Sequence, residues 1–144
     1  MAGKGSPPET GAESPASLRA LKLVTIKSRA DFLRARGGRR HGLLSLAVEA
    51  CRSPDAKVEP GVARVGFTAS RRVGGAVERN RAKRRLRALA RRVVTVLGRE
   101  GHDYVLIARS QTLTRGFAEL ENDLGAAISA LHAALDRQSR ERSG

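Results

Sequence analysis

The chain has 144 residues and a formal net charge of +14, which favours one domain of ordinary size and a polyanion or an anionic membrane surface as partner. Because arginine dominates the basic residues and its planar guanidinium binds phosphate through paired hydrogen bonds, nucleic acid is the favoured partner. No apolar run reaches the roughly 20 residues of a membrane span. Cys51 is the only cysteine, which excludes an internal disulfide, and the histidines are too dispersed to predict a metal site.

The two ends of the chain differ in composition from its middle. Residues 1–17 are rich in Gly, Pro, Ser and Ala, which predicts a disordered extension without the apolar core of a secretory signal. Residues 136–144 are polar and charged, which predicts a flexible tail. We therefore expect one folded domain over residues 18–135, in the cytoplasm and without a membrane partner.

The first half of this domain predicts a helix followed by two strands. Ser28 is a suitable N-cap for a short helix that ends before a glycine pair. Apolar residues alternate over 44–50 and again over 62–70, as in half-buried strands. In the second strand, Phe67 falls on one side and Gly66 on the other.

The second half predicts a helix, a strand and a helix. A long helix is expected over residues 76–97, ended by Gly98. Residues 104–108 form a short apolar run that is typical of a buried strand. Thr114 is the expected N-cap of the last helix, which carries one apolar stripe. The element order is therefore helix, two or three strands, helix, strand, helix, which is an α+β arrangement.

The long helix divides into three faces when its residues are projected at about 100° each. A cationic face centres on Asn80 and contains Lys83, Arg84, Arg87 and Arg91. The opposite, apolar face is expected to pack on a sheet and comprises Ala82, Leu86, Leu89, Ala90, Val93 and Leu97. A flank between them holds Arg81, Arg85 and Arg92, which predicts RNA contacts in two directions. A merely solvated face is the alternative, but solvated faces normally mix signs, and only Glu78 offsets this cluster.

Two adjoining segments carry a resemblance to a known family. They read RVGFTASRRVG at residues 64–74 and AVERNRAKRRLR at residues 76–87. This resembles the signature of the bacterial ribonuclease P protein component, which has a glycine-containing strand, a Ser-basic-basic turn and an Ala-Val-x-Arg-Asn-Arg-x-Lys-Arg helix start. The pair Asp31-Phe32 and the strand at residues 103–109 extend the resemblance.

The resemblance implies a fold and an activity. The implied fold is a small two-layer α/β sandwich, similar to a ribosomal protein domain, with a left-handed crossover between parallel strands. The implied activity is removal of the 5′ leader from precursor tRNA by a catalytic RNA, which positions the Mg²⁺ ions and hydrolyses the phosphodiester. The protein would bind this RNA and the leader, with no catalytic residue, metal site or DNA partner of its own.

The resemblance also assigns site residues by position. The contacts with RNA would be made by Arg79, Asn80, Arg81, Lys83, Arg84 and Arg87, with Arg71 and Arg72 beside them. Phe32 and Phe67 are candidates for the cleft between the first helix and the sheet, where a ring can stack on a leader base. The open alternative is that both rings are ordinary core residues. Arg36 stands where many relatives carry a second aromatic residue, which implies weaker stacking and stronger phosphate contact.

Two other functions compete with this interpretation. A structural RNA-binding protein of ribosomal type would use similar arginines without a role in cleavage. A self-sufficient nuclease would need clustered acidic ligands for metal ions. The nearest candidates are Glu119, Glu121 and Asp123, which solvation of a helix surface also explains.

Overall fold

The computed structural model describes residues 20–143, and the predicted N-terminal extension lies outside them. The strands are β1 (Lys22–Thr25), β2 (Arg39–Gly42), β3 (Leu46–Arg52), β4 (Val62–Ala69) and β5 (His102–Ala108). The helices are α1 (Arg29–Arg36), α2 (Ala76–Leu97) and α3 (Phe117–Ser143), with short 3-10 turns at Asp55–Lys57 and Arg71–Val73. The predicted α+β class is therefore confirmed.

The strands form one mixed sheet in the order β1-β4-β5-β3-β2. Strands β1, β4 and β5 run parallel, and β3 and β2 are antiparallel to their neighbours. Helix α2 is the crossover between the neighbouring parallel strands β4 and β5. Strand β1, ahead of α1, was not predicted, and β2 is the optional third strand. Both are four residues long and lie at the sheet edges, too short for a clear alternating pattern.

The two faces of the sheet carry different helices. The main core lies between one face and helices α2 and α3, where Val65 of β4, Leu106 of β5 and Val48 of β3 are buried. A smaller core, which includes Ile26 and Ala35, lies between α1 and the other face. Because side chains alternate along a strand, β5 contributes Leu106 to the main core and Val105 to the smaller one.

Helix α2 has the predicted bounds. The Glu78 carboxylate accepts a hydrogen bond from the Gly75 backbone N–H (3.0 Å) and so satisfies one of the unpaired donors at the helix start. The predicted apolar face is buried except at its last member. Leu97 is 44% exposed and lies beside Gly125 of α3. Val94 is fully buried in its place.

Helix α3 differs from its prediction at both ends. It begins at Phe117, and the Glu119 carboxylate accepts from the Gly116 backbone N–H (3.2 Å), so the expected N-cap at Thr114 is wrong. The helix continues to Ser143 through the residues predicted as a polar tail. Asp136 pairs there with both terminal guanidinium nitrogens of Arg99 at 2.8 and 3.1 Å, which ties this part of the helix to the α2–β5 connection.

A buried ion cluster joins α1 to the sheet. One guanidinium nitrogen of Arg64 lies 2.6 Å from an Asp31 oxygen, and its Nε lies 3.0 Å from an Asp103 oxygen. The Ser53 hydroxyl donates a further hydrogen bond to Asp103 (2.6 Å). All four side chains belong to buried residues, so each charge depends on its partners for the solvation that water would supply.

Replacing the shared cation tests this dependence. Arg64→Ala is expected to lower the free energy of unfolding by about 3–5 kcal/mol, because the buried Asp103 loses its cation and Asp31 keeps only the exposed side chains of Arg34 and Lys57. The control Arg92→Ala removes the same charge from a pair in which the arginine side chain is 65% exposed, and should cost less than about 1 kcal/mol. Urea denaturation measures both, and equal losses would contradict the assignment.

A hydrogen-bonded histidine makes stability depend on pH. The Tyr104 hydroxyl accepts from the Arg99 backbone N–H (2.9 Å) and lies 2.7 Å from Nε2 of His132. Burial, together with the positive charge of Arg99, lowers the pKa of His132 to about 4. The folded protein therefore binds a proton at His132 less readily than the unfolded chain does, whose histidine pKa is about 6.5.

We expect the free energy of unfolding to decline as the pH falls from about 6.5 towards 4, because protons then favour the unfolded chain. His132→Gln keeps a hydrogen-bonding side chain and removes the titrating group, so its decline over this range should be shallower. Chemical denaturation at a series of pH values measures the difference. Parallel curves for the two proteins would exclude His132 as a source of the dependence.

Candidate RNA interface

The junction between β4 and α2 presents two of the predicted arginines to solvent. The Ser70 hydroxyl accepts from the backbone N–H of Arg72 (3.3 Å) and begins the 3-10 turn after β4. Gly74 has a φ of 145°, and a Cβ there would lie 2.7 Å from Cβ of Glu78, so only glycine fits. The chain thereby turns directly into α2 with Arg71 and Arg72 exposed at the carboxyl end of β4.

The structure brings the predicted RNA-binding residues together on this turn and on α2. We call this set the free basic surface, and it consists of Arg71, Arg72, Arg79, Asn80, Arg81, Lys83, Arg84, Arg87 and Arg91. Arg79 and Lys83 are half-buried and the others are exposed. Within residues 20–143, none of these cationic groups has a carboxylate within 4.0 Å. Their contact with RNA stays a prediction.

Unpaired cations at this density favour an anionic partner. Like charges along one helix repel each other, and cations near its first turns oppose the helix dipole. The carboxylate of Glu78, the only acidic side chain of α2, is engaged at the Gly75 N–H. The folded protein therefore keeps an uncompensated positive surface that phosphate groups would neutralise.

The second flank of α2 serves the protein's own structure. The Arg85 guanidinium donates to the backbone carbonyls of Thr112 and Leu113 (2.9 and 3.0 Å) and so holds the connection between β5 and α3. Arg92 forms an ion pair with Glu121 of α3. Arg85 and Arg92 thus have partners within the protein, and among the described residues only Arg81 of this predicted flank lacks one; contact of the flank with RNA stays a prediction. Helical projection could not reveal these partners, since they lie on distant segments.

The predicted leader cleft would lie where α1 meets the sheet, and Phe32 packs at this junction. The Phe32 ring is half-buried and lies over Gly66 of β4, where a Cβ would be 2.6 Å from the ring edge. The absence of a side chain at Gly66 thus lets the ring approach the strand closely. Arg36 is exposed one turn further along α1.

Phe67 does not share this cleft. It packs with the main core under α2, on the opposite face of the sheet from Phe32. The Arg87 guanidinium carbon lies 5.8 Å from the centre of the Phe67 ring, which is a cation–π distance. This corrects the prediction that the two rings line one cleft. The alternation along β4 predicts that Phe67 and Gly66 lie on opposite faces of the sheet, whereas the family resemblance had assigned Phe67 to the cleft.

Two further side chains, not predicted as site residues, lie on the same face of the sheet as the Phe32 ring. Thr68 and Ile107 are paired in the sheet, half-buried, and lie one row beyond Gly66 on the same face. The alternation from Gly66 to Thr68 was the available signal. Cys51 lies near α1 on this face, and burial, followed by the charge of Asp103, raises the pKa of its thiol to about 11. A thiol that stays protonated at neutral pH is not a nucleophile.

The acidic residues of the nuclease hypothesis all have partners in the protein. Glu119 accepts from the backbone at the start of α3, and Glu121 pairs with Arg92. Asp123 accepts from the Ser45 hydroxyl (2.7 Å) and from Arg115, whose hydrogen bond holds the pKa of Asp123 below its usual value. Across residues 20–143, no group of His, Cys, Asp and Glu side chains is arranged to hold a metal ion.

The helices in the described part of the chain are too polar or too short to cross a membrane. A mixed sheet with helices on both faces and an uncompensated basic helix face define an α+β protein suited to a polyanionic partner. Residues 21–132 match the Ribonuclease P family, and the chain belongs to this family of ribonuclease P protein components. It is accordingly a protein subunit of the ribonuclease P ribonucleoprotein, with a role in tRNA processing and the ribonuclease P RNA as its partner.

Several relatives carry the name "Ribonuclease P protein component". That of Ruegeria pomeroyi is 52% identical over 112 residues, which cover 77% of this chain and 88% of the relative. That of Caulobacter vibrioides is 43% identical over 126 residues, which cover 88% of this chain and 80% of the relative. Both alignments span most of the length of each protein, so the relationship concerns the whole domain.

Solved structures of ribonuclease P proteins have the same fold. The Staphylococcus aureus protein aligns with a TM-score of 0.60 at 25% identity and covers 76% of this chain and 95% of its own. The Thermotoga maritima protein aligns with a TM-score of 0.58 at 23% identity, over 74% of this chain and 94% of its own. The predicted fold class is confirmed by these similarities.

A matched pair of arginines tests the free basic surface. Arg84→Ala should lower the slope of log affinity for ribonuclease P RNA against log salt by about 0.7 to 0.9, because one phosphate contact is lost. Relative to wild type, the affinity of the variant should therefore drop by roughly five- to eightfold more at 0.1 M salt than at 1 M salt. Arg92→Ala removes the same charge from the same helix but from an internal ion pair, and should leave the slope unchanged. Filter binding over a salt series measures both, and identical slopes would show that Arg84 contacts no phosphate.

Proposed function

We propose that the protein holds two RNAs on opposite faces of its sheet. The free basic surface binds the ribonuclease P RNA, and the cleft beside α1 binds the single-stranded 5′ leader of precursor tRNA. The observation that carries the proposal is the half-buried Phe32 ring, which lies over Gly66 on the face away from α2. A cleft floored by strands and walled by an aromatic ring suits an unpaired strand.

The chemistry of the cleft matches a nucleotide chain. The exposed part of the Phe32 ring can stack on a base, which contributes about 1–3 kcal/mol in single-strand binding. The Thr68 hydroxyl offers a directional hydrogen bond on the same face, and the Arg36 guanidinium is placed for a phosphate. With one aromatic ring in place of two, the cleft relies more on phosphate contact and less on base identity.

We assign catalysis to the RNA. Hydrolysis of a phosphodiester with metal ions needs clustered acidic ligands, and the described residues do not fit a Mg²⁺ site because Glu119, Glu121 and Asp123 are engaged within the protein. The Mg²⁺ ions would then be held by the catalytic RNA and its substrate. The protein contributes binding, orientation of the leader and charge neutralisation, in the cytoplasm where precursor tRNA is processed.

A leader-length comparison tests the cleft. For the reconstituted enzyme, Phe32→Leu should raise KM roughly tenfold for a precursor tRNA with a long leader, because a base loses its stacking partner. A precursor with a one-nucleotide leader should be processed like wild type, since such a leader does not enter the cleft. Leucine keeps most of the apolar contact with Gly66. Equal effects on the two substrates would mean that Phe32 has only a structural role.

Reconstitution separates the remaining functions. The protein alone should cleave no precursor tRNA in Mg²⁺, and addition of its cognate RNA should give cleavage at the mature 5′ end. Cleavage by the protein alone that is lost in Asp123→Asn would establish the nuclease. Cleavage by the RNA that the protein does not alter at low Mg²⁺ would favour a ribosomal-type role.

A further inference from the structure

We infer that the protein has a second base-binding site, between α2 and the edge of the sheet, which takes an unpaired nucleotide of the ribonuclease P RNA. The site is a groove of about 300 Å³ on the face opposite the α1 cleft. Its floor is formed by Leu23, Val65, Phe67 and Ala90, and its rim by Arg87 and Arg91. The inference deepens the proposed role of the free basic surface and rests on it.

The groove exists because of how β1 ends the sheet. Strand β1 has four residues and, among residues 20–143, no further strand beside it, so in this part of the chain α2 extends over the sheet edge. Leu23 of β1 and Val65 of β4 lie on the face toward α2 and form an apolar bottom. An apolar hollow with a few polar groups at its mouth is the usual form of a small-ligand site.

Phe67 and Arg87 give the groove its ligand preference. Phe67 is half-buried, and the Arg87 guanidinium lies 5.8 Å from its ring centre. Aromatic rings and guanidinium planes are the two groups on which proteins stack unpaired RNA bases. A base could stack on the exposed part of the ring, with the guanidinium at its edge or above it.

The rim supplies the charge that a nucleotide requires. Arg87 and Arg91 are exposed, one helical turn apart, and without an ion pair among residues 20–143. They can therefore neutralise the phosphates on either side of a base that enters the groove.

The position of the groove selects the ribonuclease P RNA over the leader. Arg87 and Arg91 belong to the cationic face of α2 that also presents Asn80 and Arg84. An RNA that covers this face lies directly at the groove. The α1 cleft opens on the other face of the sheet. A paired helix keeps its bases stacked inside, so the occupant is an unpaired nucleotide of the RNA bound to α2.

Phenylalanine variants test the site in full-length protein with complete ribonuclease P RNA. Phe67→Leu should weaken binding about tenfold with an unchanged salt slope, because a ring is lost and no charge. Phe117→Leu is the matched control, since Phe117 also packs on the main core but lies at the start of α3. Equal affinities of the two variants would overturn the inference.

A second variant guards against misfolding of the first. Arg87→Lys keeps the charge at an exposed position but removes the guanidinium plane, and should weaken binding about threefold with the slope intact. Affinity equal to wild type would count against the stacked arrangement. If both variants bound the RNA as wild type does and the leader-length effect were normal, the groove would be excluded as a binding site and the proposed function would be retained.

A photoreactive phenylalanine analogue at position 67 identifies the occupant. Crosslinks in the assembled enzyme with precursor tRNA should map to an unpaired nucleotide of the ribonuclease P RNA. Crosslinks to the leader, to a paired helix, or to neither RNA would overturn the inference. If Phe32→Leu affected long-leader and short-leader substrates equally, only the leader cleft would be refuted. The groove is tested separately, because binding of the ribonuclease P RNA is measured without substrate.

Discussion

The shared guanidinium of Arg64 is the constraint on which the RNA-binding arrangement depends. It joins Asp31 of α1 to Asp103 of β5 from its own place on β4, so one cation fixes a helix against two parallel strands. Buried charges tolerate little displacement, because a lost partner leaves a charge without solvation. The short helix α1 has little apolar area of its own. Its position, and with it the cleft beside Phe32, follows from this ion cluster.

The arginines of the chain divide into two groups by what surrounds them. Arg64, Arg85 and Arg92 contact carboxylates or carbonyls of the protein and hold elements together. Those of the free basic surface lack such partners within the described residues. This division concentrates positive potential on one side of α2 while the other side packs against α3 and the sheet. Burial of the apolar face of α2 offsets the repulsion among its cations.

The sheet separates two aromatic positions that adjoin in sequence. Gly66 faces α1 and accommodates the Phe32 ring, whereas Phe67, the next residue, faces α2 and Arg87. Because successive side chains of a strand point to opposite faces, one dipeptide serves two surfaces. A protein this small can thereby present separate sites to a ribozyme and to its substrate. The same alternation explains why a family motif that runs through both residues does not reveal which surface each one serves.

Features that depend on neighbouring residues could be predicted from the amino-acid sequence. The cap at Ser28, the full extent of α2, the strand β4 and the family motif can be recognised because capping, helical periodicity and strand alternation act over a few residues. The pairing of the short edge strands, the partners of Arg85 and Arg92, and the placement of α1 by Arg64 could be seen only in the folded protein. Each of these contacts joins residues far apart in the chain, so its energy exists only after the whole sheet and its helices have assembled.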